Sequence, residues 1–76
     1  MKERVLNVMA AVLDVPVGTL NEDSSPDNVE QWDSLHHMNL VLGLEQEFGI
    51  QFTEDEIIEM LNAALIIAIL QERGIA

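Results

Sequence analysis

The segment of residues 30–50, EQWDSLHHMNLVLGLEQEFGI, contains the side chains best suited to chemistry. The hydroxyl group of Ser34 is flanked by the carboxylate of Asp33 and by the imidazoles of His36 and His37. Serine, histidine and aspartate make up a hydrolytic triad, but neighbours at a helix start diverge by about 100° each and do not meet in space. The G-x-S-x-G turn is absent too. We therefore expect no enzyme, and Ser34 would need another protein to activate it.

Metal binding is the second chemistry that these residue types allow. Residues 21–34, NEDSSPDNVEQWDS, are rich in oxygen ligands, but they lack the alternating ligands, the glycine and the final glutamate of a calcium loop. His36 and His37 are adjacent and point apart, unlike the four-residue spacing of helical zinc sites. No metal site is expected.

The chain is strongly acidic. It has 14 acidic residues and three basic ones among 76, a formal net charge of −11, and no lysine or arginine between Val5 and Glu72. Nucleic acid and anionic membranes are bound through cationic side chains, so neither is expected as a partner. The charge favours partners with basic patches.

Composition predicts a single small domain over residues 1–76 that is held together by packing. Hydrophobic residues make up 49% of the chain, and cysteine is absent, so disulfides and thiolate metal sites are excluded. The apolar run of residues 63–70 is shorter than the about 18 residues that span a bilayer. The first residues suit an amphipathic helix better than a signal peptide. A cytoplasmic monomer is the expectation.

Apolar periodicity predicts an all-α fold, a small four-helix bundle with a long loop between helices one and two. The helices are expected at about residues 2–14, 34–48, 54–61 and 63–73. The pattern of the last segment also allows a strand, but no second strand is available to pair with it. That segment is apolar on almost all sides, which leaves open a pocket for a bulky group, self-association or a tight partner.

Residues with special backbone roles mark the ends of these helices. Asp33 or Ser34 should cap helix two, and Gly49 should end it in a left-handed conformation. Thr53 and Glu56 have the spacing of a capping box at helix three. In the long loop, four apolar residues are the expected anchors to the bundle: Val17, Leu20, Val29 and Trp32.

Helix two carries two apolar bands. One, expected to face the core, consists of Leu40, Val41, Leu44 and Phe48; the other consists of Leu35, Met38 and Leu42. Ser34 and Glu45 lie on the edge beside the second band. That band is either covered because helix two is central, or partly exposed to dock partners, and spacing alone allows both.

These residues resemble a known family. DSL at residues 33–35, opening a helix that continues MNLVLGLEQEFGI and is followed by TEDEI, is similar to the acyl carrier proteins and the related peptidyl carrier domains. The likeness extends over nearly the whole chain, including its length, acidity, four helical segments and long first loop. It implies a bundle of the acyl-carrier type.

The resemblance also implies a function. Ser34 would receive 4'-phosphopantetheine from coenzyme A through a phosphopantetheinyl transferase, and the thiol of this arm would carry acyl groups as thioesters. Asp33 and Leu35 would contact the transferase. Three further residues would dock basic patches on the acyl-loading, condensing or acyl-transfer enzymes: Met38, Leu42 and Glu45.

The chain departs from the family pattern at Asn39, where many members have an acidic residue, and at the unusual pair His36 and His37. Trp32 before the motif resembles some stand-alone carriers of secondary pathways. Fatty acid, polyketide and amino acid cargoes all remain open. The alternatives are a peptidyl or aminoacyl carrier, and an acidic helical adaptor that never carries a prosthetic group.

Overall fold

Four α-helices form the fold in the computed structural model, which describes residues 2–75. They are α1 (Lys2–Leu13), α2 (Ser34–Phe48), α3 (Glu54–Glu59) and α4 (Ala63–Glu72), with a short 3₁₀ turn at Val17–Thr19 after α1. No strand occurs among the described residues, and the predicted all-α class is confirmed. The last apolar segment is therefore a helix. No helix within residues 2–75 is both long and apolar enough to cross a membrane.

Three of the helices end in the same way, with one residue in the left-handed region. These residues are Asp14 (φ 56°), Gly49 (φ 66°) and Gly74 (φ 77°). The amide of the next residue then bonds back to a carbonyl five residues earlier, as from Ile50 to Glu45 over 3.1 Å. This Schellman geometry satisfies the last carbonyls. It ends α1 at Leu13 and α4 at Glu72, one residue earlier than predicted in each case.

Helix α3 begins with the predicted capping box. Thr53 Oγ1 accepts the Glu56 amide at 3.2 Å, and Glu56 Oε1 accepts the Thr53 amide at 2.9 Å. The helix ends at Glu59, two residues before the predicted end, because Met60 leaves helical geometry (ψ 65°). Asn62 then caps α4 by accepting the Leu65 amide at 2.8 Å. Only residues 60–62 therefore separate α3 from α4.

Helices α1 and α2 pack directly against each other at a glycine. A β-carbon added to Gly43 would lie 3.1 Å from Val12 Cγ2 and 3.3 Å from Val8 Cγ1, so even a methyl group here would require these valine side chains to shift by a few tenths of an ångström. The predicted core band of α2 is confirmed for Leu40, Val41 and Leu44, which are buried. Its fourth member, Phe48, is half-buried.

Much of the apolar character of α4 is explained by burial. Half of its residues are buried, whereas Leu65 is 39% exposed; the buried ones are Ala63, Ile66, Ile67, Ile69 and Leu70. Burial of this kind supplies most of the stabilisation available to so small a domain. The internal packing of the bundle therefore accounts for the apolar residues of α4 that are buried, but not for the exposed Leu65.

The long loop between α1 and α2 is held to the bundle by three of the four predicted anchors. Leu20, Val29 and Trp32 are buried, but Val17 is 45% exposed, and its prediction as an anchor is wrong. Val17 opens the 3₁₀ turn in which Leu20 donates its amide to the Val17 carbonyl. Leu20 takes the core-facing position at the end of that turn, and Val17 lies toward solvent.

Backbone hydrogen bonds also join this loop to the start of α4. The amide of Ala63 donates to the Ser24 carbonyl at 2.9 Å, and the amide of Ala64 donates to the Glu22 carbonyl at 3.0 Å. These amides belong to the first turn of α4 and have no partner inside the helix. The loop thereby satisfies the helix end and fixes its own path toward Ser34.

An ion pair holds α3 to the end of α4. Arg73 Nε donates to Glu56 Oε2 at 2.9 Å, and its terminal nitrogen donates to Glu56 Oε1. Hydrogen bonds from Arg73, and then from the Thr53 amide, lower the pKa of Glu56 from 4.5 to about 2. Since the folded state favours the ionised form, this contribution to stability is present above pH 4.5 and is lost as pH falls through about 2.

We therefore expect Glu56→Gln to lower the free energy of unfolding most above pH 4.5, with the difference from wild type shrinking toward about pH 2. Urea unfolding followed by circular dichroism across this pH range measures it. Glu54→Gln, an exposed carboxylate of the same turn, is the matched control and should leave the shape of the pH profile unchanged. A constant difference between Glu56→Gln and wild type at all pH values would contradict the assignment.

Candidate functional site

Ser34 is the first residue of α2 and is exposed. The residue before it, Asp33, has extended geometry and caps the helix, because its Oδ1 accepts the His36 amide at 2.8 Å. The sequence allowed either residue to be the cap, and the structure assigns the cap to Asp33. The Ser34 hydroxyl is therefore not needed to cap the helix, and the residue is exposed.

The carboxylate of Asp33 is held by both the backbone and the ring of His36. The Nδ1 atom of His36 lies 2.8 Å from Asp33 Oδ1, the same oxygen that accepts the His36 amide. The amide, and then the ring, lower the pKa of Asp33 below its ordinary value. A carboxylate held in this way stays ionised beside Ser34 and adds negative charge at the start of α2.

Both ring nitrogens of His37 are engaged by groups other than Ser34. Trp32 Nε1 donates to His37 Nδ1 at 2.9 Å, and His37 Nε2 lies 3.0 Å from the Ile57 carbonyl oxygen. The indole only donates and the carbonyl only accepts, so in this arrangement Nδ1 is the acceptor and Nε2 the donor. With both nitrogens engaged, His37 is not available as a base for Ser34.

An apolar pocket opens beside Ser34. Its volume is about 490 Å³, and it lies between the end of the long loop, the start of α2 and the junction of α3 with α4; its lining comprises Pro26, Trp32, Asp33, Ser34, His37, Met38, Met60 and Leu61. Ser34 is thus at the edge of a space that could hold an apolar group. Of these lining residues, the sequence predicted only Asp33, Ser34 and Met38, around the start of α2, as site residues.

Met60 and Leu61 were not singled out as site residues. They lie more than twenty residues after Ser34 and were predicted to belong to helix three. The sequence signal that could have identified them is weak, because it consists only of two apolar residues directly before the cap Asn62. In the structure, Leu61 is 63% exposed. Their position beside Ser34 depends on the turn between α3 and α4, which tertiary packing determines.

The second apolar band of α2 is exposed. Leu35, Met38 and Leu42 are 69%, 48% and 55% exposed, so the alternative in which other elements cover this band is wrong. Among them, only Met38 also lines the pocket. The band forms an open apolar surface that starts next to Ser34 and runs along the helix.

Glu45 has a structural partner that the sequence did not reveal. It is half-buried, and its Oε2 accepts the amide of Phe52 at 2.8 Å, which holds the loop between α2 and α3 against α2. Glu45 lies near the end of α2, away from the pocket. Replacements that remove this acceptor would disturb the loop as well as the surface charge.

All three cationic side chains of lysine and arginine are paired with acidic residues. Lys2 lies 3.6 Å from Glu22, Arg4 lies 2.9 Å from Glu47, and Arg73 pairs with Glu56. The remaining carboxylates have no lysine or arginine to neutralise them, which leaves the net charge of −11 on the surface. Within residues 2–75, no group of three or more His, Asp or Glu side chains is placed to hold a metal ion.

A small acidic helical bundle with an exposed, unassisted serine at a helix start beside an apolar pocket has the features of a carrier domain, on which another protein installs the working group. The family model described as phosphopantetheine attachment site matches residues 3–70, from α1 almost to the end of α4, and the chain belongs to this family. The predicted likeness to the acyl carrier proteins is thereby confirmed.

Membership establishes the cofactor and the general role. Domains of this family carry covalently attached 4'-phosphopantetheine and are carriers rather than catalysts. Their partners are phosphopantetheinyl transferases and biosynthetic enzymes. The match favours a carrier over the adaptor without a prosthetic group.

Proposed function

We propose that this protein is an acyl carrier protein in which 4'-phosphopantetheine is attached to Ser34 and holds acyl intermediates as thioesters. The observation that carries the proposal is the position of Ser34, exposed at the start of α2 and at the edge of the pocket. Since Asp33 caps the helix, the hydroxyl is free to approach the active site of a transferase. That enzyme would supply the base that this chain lacks beside Ser34.

The apolar pocket supports an acyl cargo over an aminoacyl one. Each methylene group that leaves water contributes about 0.8 kcal/mol, so a fatty acid or polyketide chain would gain from the surfaces of Trp32, Met38 and Met60. A short polar aminoacyl group would gain little there. Met38 is 48% exposed and also lines the pocket, so such a chain could enter beside it.

The open apolar band of α2 supports docking of partner enzymes. We assign to Leu35 and Asp33 the contact with the transferase, and to Met38 and Leu42 the contact with enzymes that load or extend the cargo. Glu45 would add negative charge to this surface while it holds Phe52. The excess of unneutralised carboxylates favours partners with basic patches and makes association depend on salt.

The proposal is tested by loading the purified protein. With coenzyme A and a broad-specificity phosphopantetheinyl transferase, the intact mass is expected to rise by one phosphopantetheine. With an acyl-coenzyme A in its place, the acyl group should be added as well, and neutral hydroxylamine should remove it because it cleaves thioesters. A folded protein that stays unmodified would exclude the proposal.

The nature of the cargo can be tested through Trp32, the only tryptophan in the chain, which is 2% exposed and lines the pocket. If the pocket holds an acyl chain, the emission of Trp32 should change more with an octanoyl arm than with an acetyl arm. Fluorescence spectra of the two loaded proteins, recorded beside the unloaded one, give the comparison. Identical spectra for both arms would argue against an acyl chain in the pocket.

A further inference from the structure

The hydrogen bonds of His37 link three separate elements around Ser34. Trp32 belongs to the end of the long loop, His37 to the first turns of α2, and Ile57 to α3. The rings of Trp32 and His37 are also nearly parallel, at an angle of 17° with their centroids 6.1 Å apart. We call this chain of contacts, from the Trp32 indole through His37 to the Ile57 carbonyl, the His37 relay.

The relay satisfies groups that have few other partners. Trp32 is 2% exposed, so its indole N–H would be left unpaired without the lone pair on His37 Nδ1. The Ile57 carbonyl lies in the last turn of α3, and its backbone partner, the Met60 amide, is 3.4 Å away. His37 provides a shorter bond there, at 3.0 Å.

Helix α3 depends on such contacts more than the other helices do. It has six residues and none of them is fully buried, so little apolar packing holds it in place. Two polar contacts connect it to the rest of the bundle: the His37 bond to Ile57 and the Arg73 pair with Glu56. Without His37, α3 and the pocket residues Met60 and Leu61 that directly follow it would lose this link to the turn that carries Ser34.

We propose that His37 is a positioning residue for phosphopantetheine attachment, acting through Trp32 and Ile57 to hold the Ser34 turn in one orientation against α3. This inference rests on the proposed function of Ser34. If these hydrogen bonds are broken, the Ser34 turn adopts the orientation that the transferase binds for a smaller fraction of the time. The apparent affinity of the transferase for the protein falls by that fraction, whereas the chemical step is unchanged once the complex has formed.

The test is the kinetics of phosphopantetheine transfer, with coenzyme A saturating and the concentration of this protein varied. His37→Leu keeps apolar bulk but removes both hydrogen bonds, and we expect it to raise KM by about tenfold with little change in kcat. His37→Gln can accept from Trp32 and donate to Ile57, and should recover most of the loss. Gln46→Leu, an exposed polar-to-leucine change on the same helix, is the matched control and should behave as wild type.

A spectroscopic measurement separates the relay from a general loss of structure. The single indole N–H resonance of Trp32 should shift in His37→Leu and return toward its wild-type position in His37→Gln. Circular dichroism establishes that each variant is folded. If His37→Leu does not fold, Trp32→Phe removes the donor and keeps an aromatic ring, and it should raise KM in the same direction.

The possible outcomes distinguish this inference from the proposed function. If wild type is modified, and folded His37→Leu and Trp32→Phe are modified with the wild-type KM, the positioning role is overturned while Ser34 remains the attachment site. A KM that rises in His37→Leu and is not recovered in His37→Gln also overturns it, because hydrogen bonding is then not the cause. If wild type itself is not modified, the proposed function fails first and the inference falls with it.

Discussion

Ser34→Ala is expected to abolish phosphopantetheine attachment completely, whereas wild type gains a single arm. The reason is chemical, since alanine has no oxygen to form the phosphodiester bond with the arm. The fold should be unaffected, because the capping hydrogen bond comes from Asp33 and alanine is a good helix former. Intact mass after incubation with coenzyme A and a broad-specificity transferase measures the result, and circular dichroism checks the fold.

Ser25→Ala is the matched control for this experiment. Ser25 is a half-buried serine of the long loop whose Oγ accepts the Asp27 amide at 3.2 Å, and it lies outside the pocket. This variant should be modified like wild type. A Ser34→Ala protein that still gains one phosphopantetheine would show that the arm is attached elsewhere, and the site assignment would have to be abandoned.

Leu44→Ala is expected to destabilise the fold by about 2–5 kcal/mol, because it leaves a cavity in the core. Leu44 is 0% exposed and lies in the band of α2 that faces the core. A loss of this size is a large fraction of the about 5–15 kcal/mol that stabilises an ordinary domain, and small domains are at the lower end. Chemical denaturation measures the loss.

Leu42→Ala is the matched control, two residues away on the same helix and with the same chemical change. Because Leu42 is 55% exposed, its replacement should alter the free energy of unfolding by about 0.5 kcal/mol or less. It should instead weaken binding to a partner enzyme, measured as a higher KM of the transferase or of a loading enzyme for the carrier. Equal destabilisation by both variants would contradict the assignment of the two bands, and unchanged partner binding would contradict the docking surface.

Features that depend on a few neighbouring residues were predicted well. Thr53 and Glu56 form the capping box, and Gly49 ends α2 in the left-handed conformation. Each of these is determined by hydrogen bonds within one helical turn, so the residue types alone indicate the geometry. The DSL motif is local in the same sense, and the likeness that it supports is confirmed by the family match over residues 3–70.

Features that depend on distant residues could not be predicted with the same success. Periodicity predicted that Leu40 faces the core, but it left open whether Leu42 is covered, and the structure shows that Leu42 is 55% exposed. Val17 has the residue type of an anchor but is 45% exposed. Periodicity gives the angle between side chains around a helix, but which side is covered depends on where α1, α4 and the long loop pack.

The sequence by itself determined the helical class, most helix ends, the excess of negative charge and the serine at the start of α2, because these follow from local hydrogen bonding, periodicity and composition. Only the tertiary structure decided that Glu45 holds Phe52, that His37 connects Trp32 to Ile57, and that Met60 and Leu61 form a pocket with Ser34. These contacts join residues that are separate along the chain. They exist because burial of the apolar core brings the helices together, and no local pattern encodes the resulting distances.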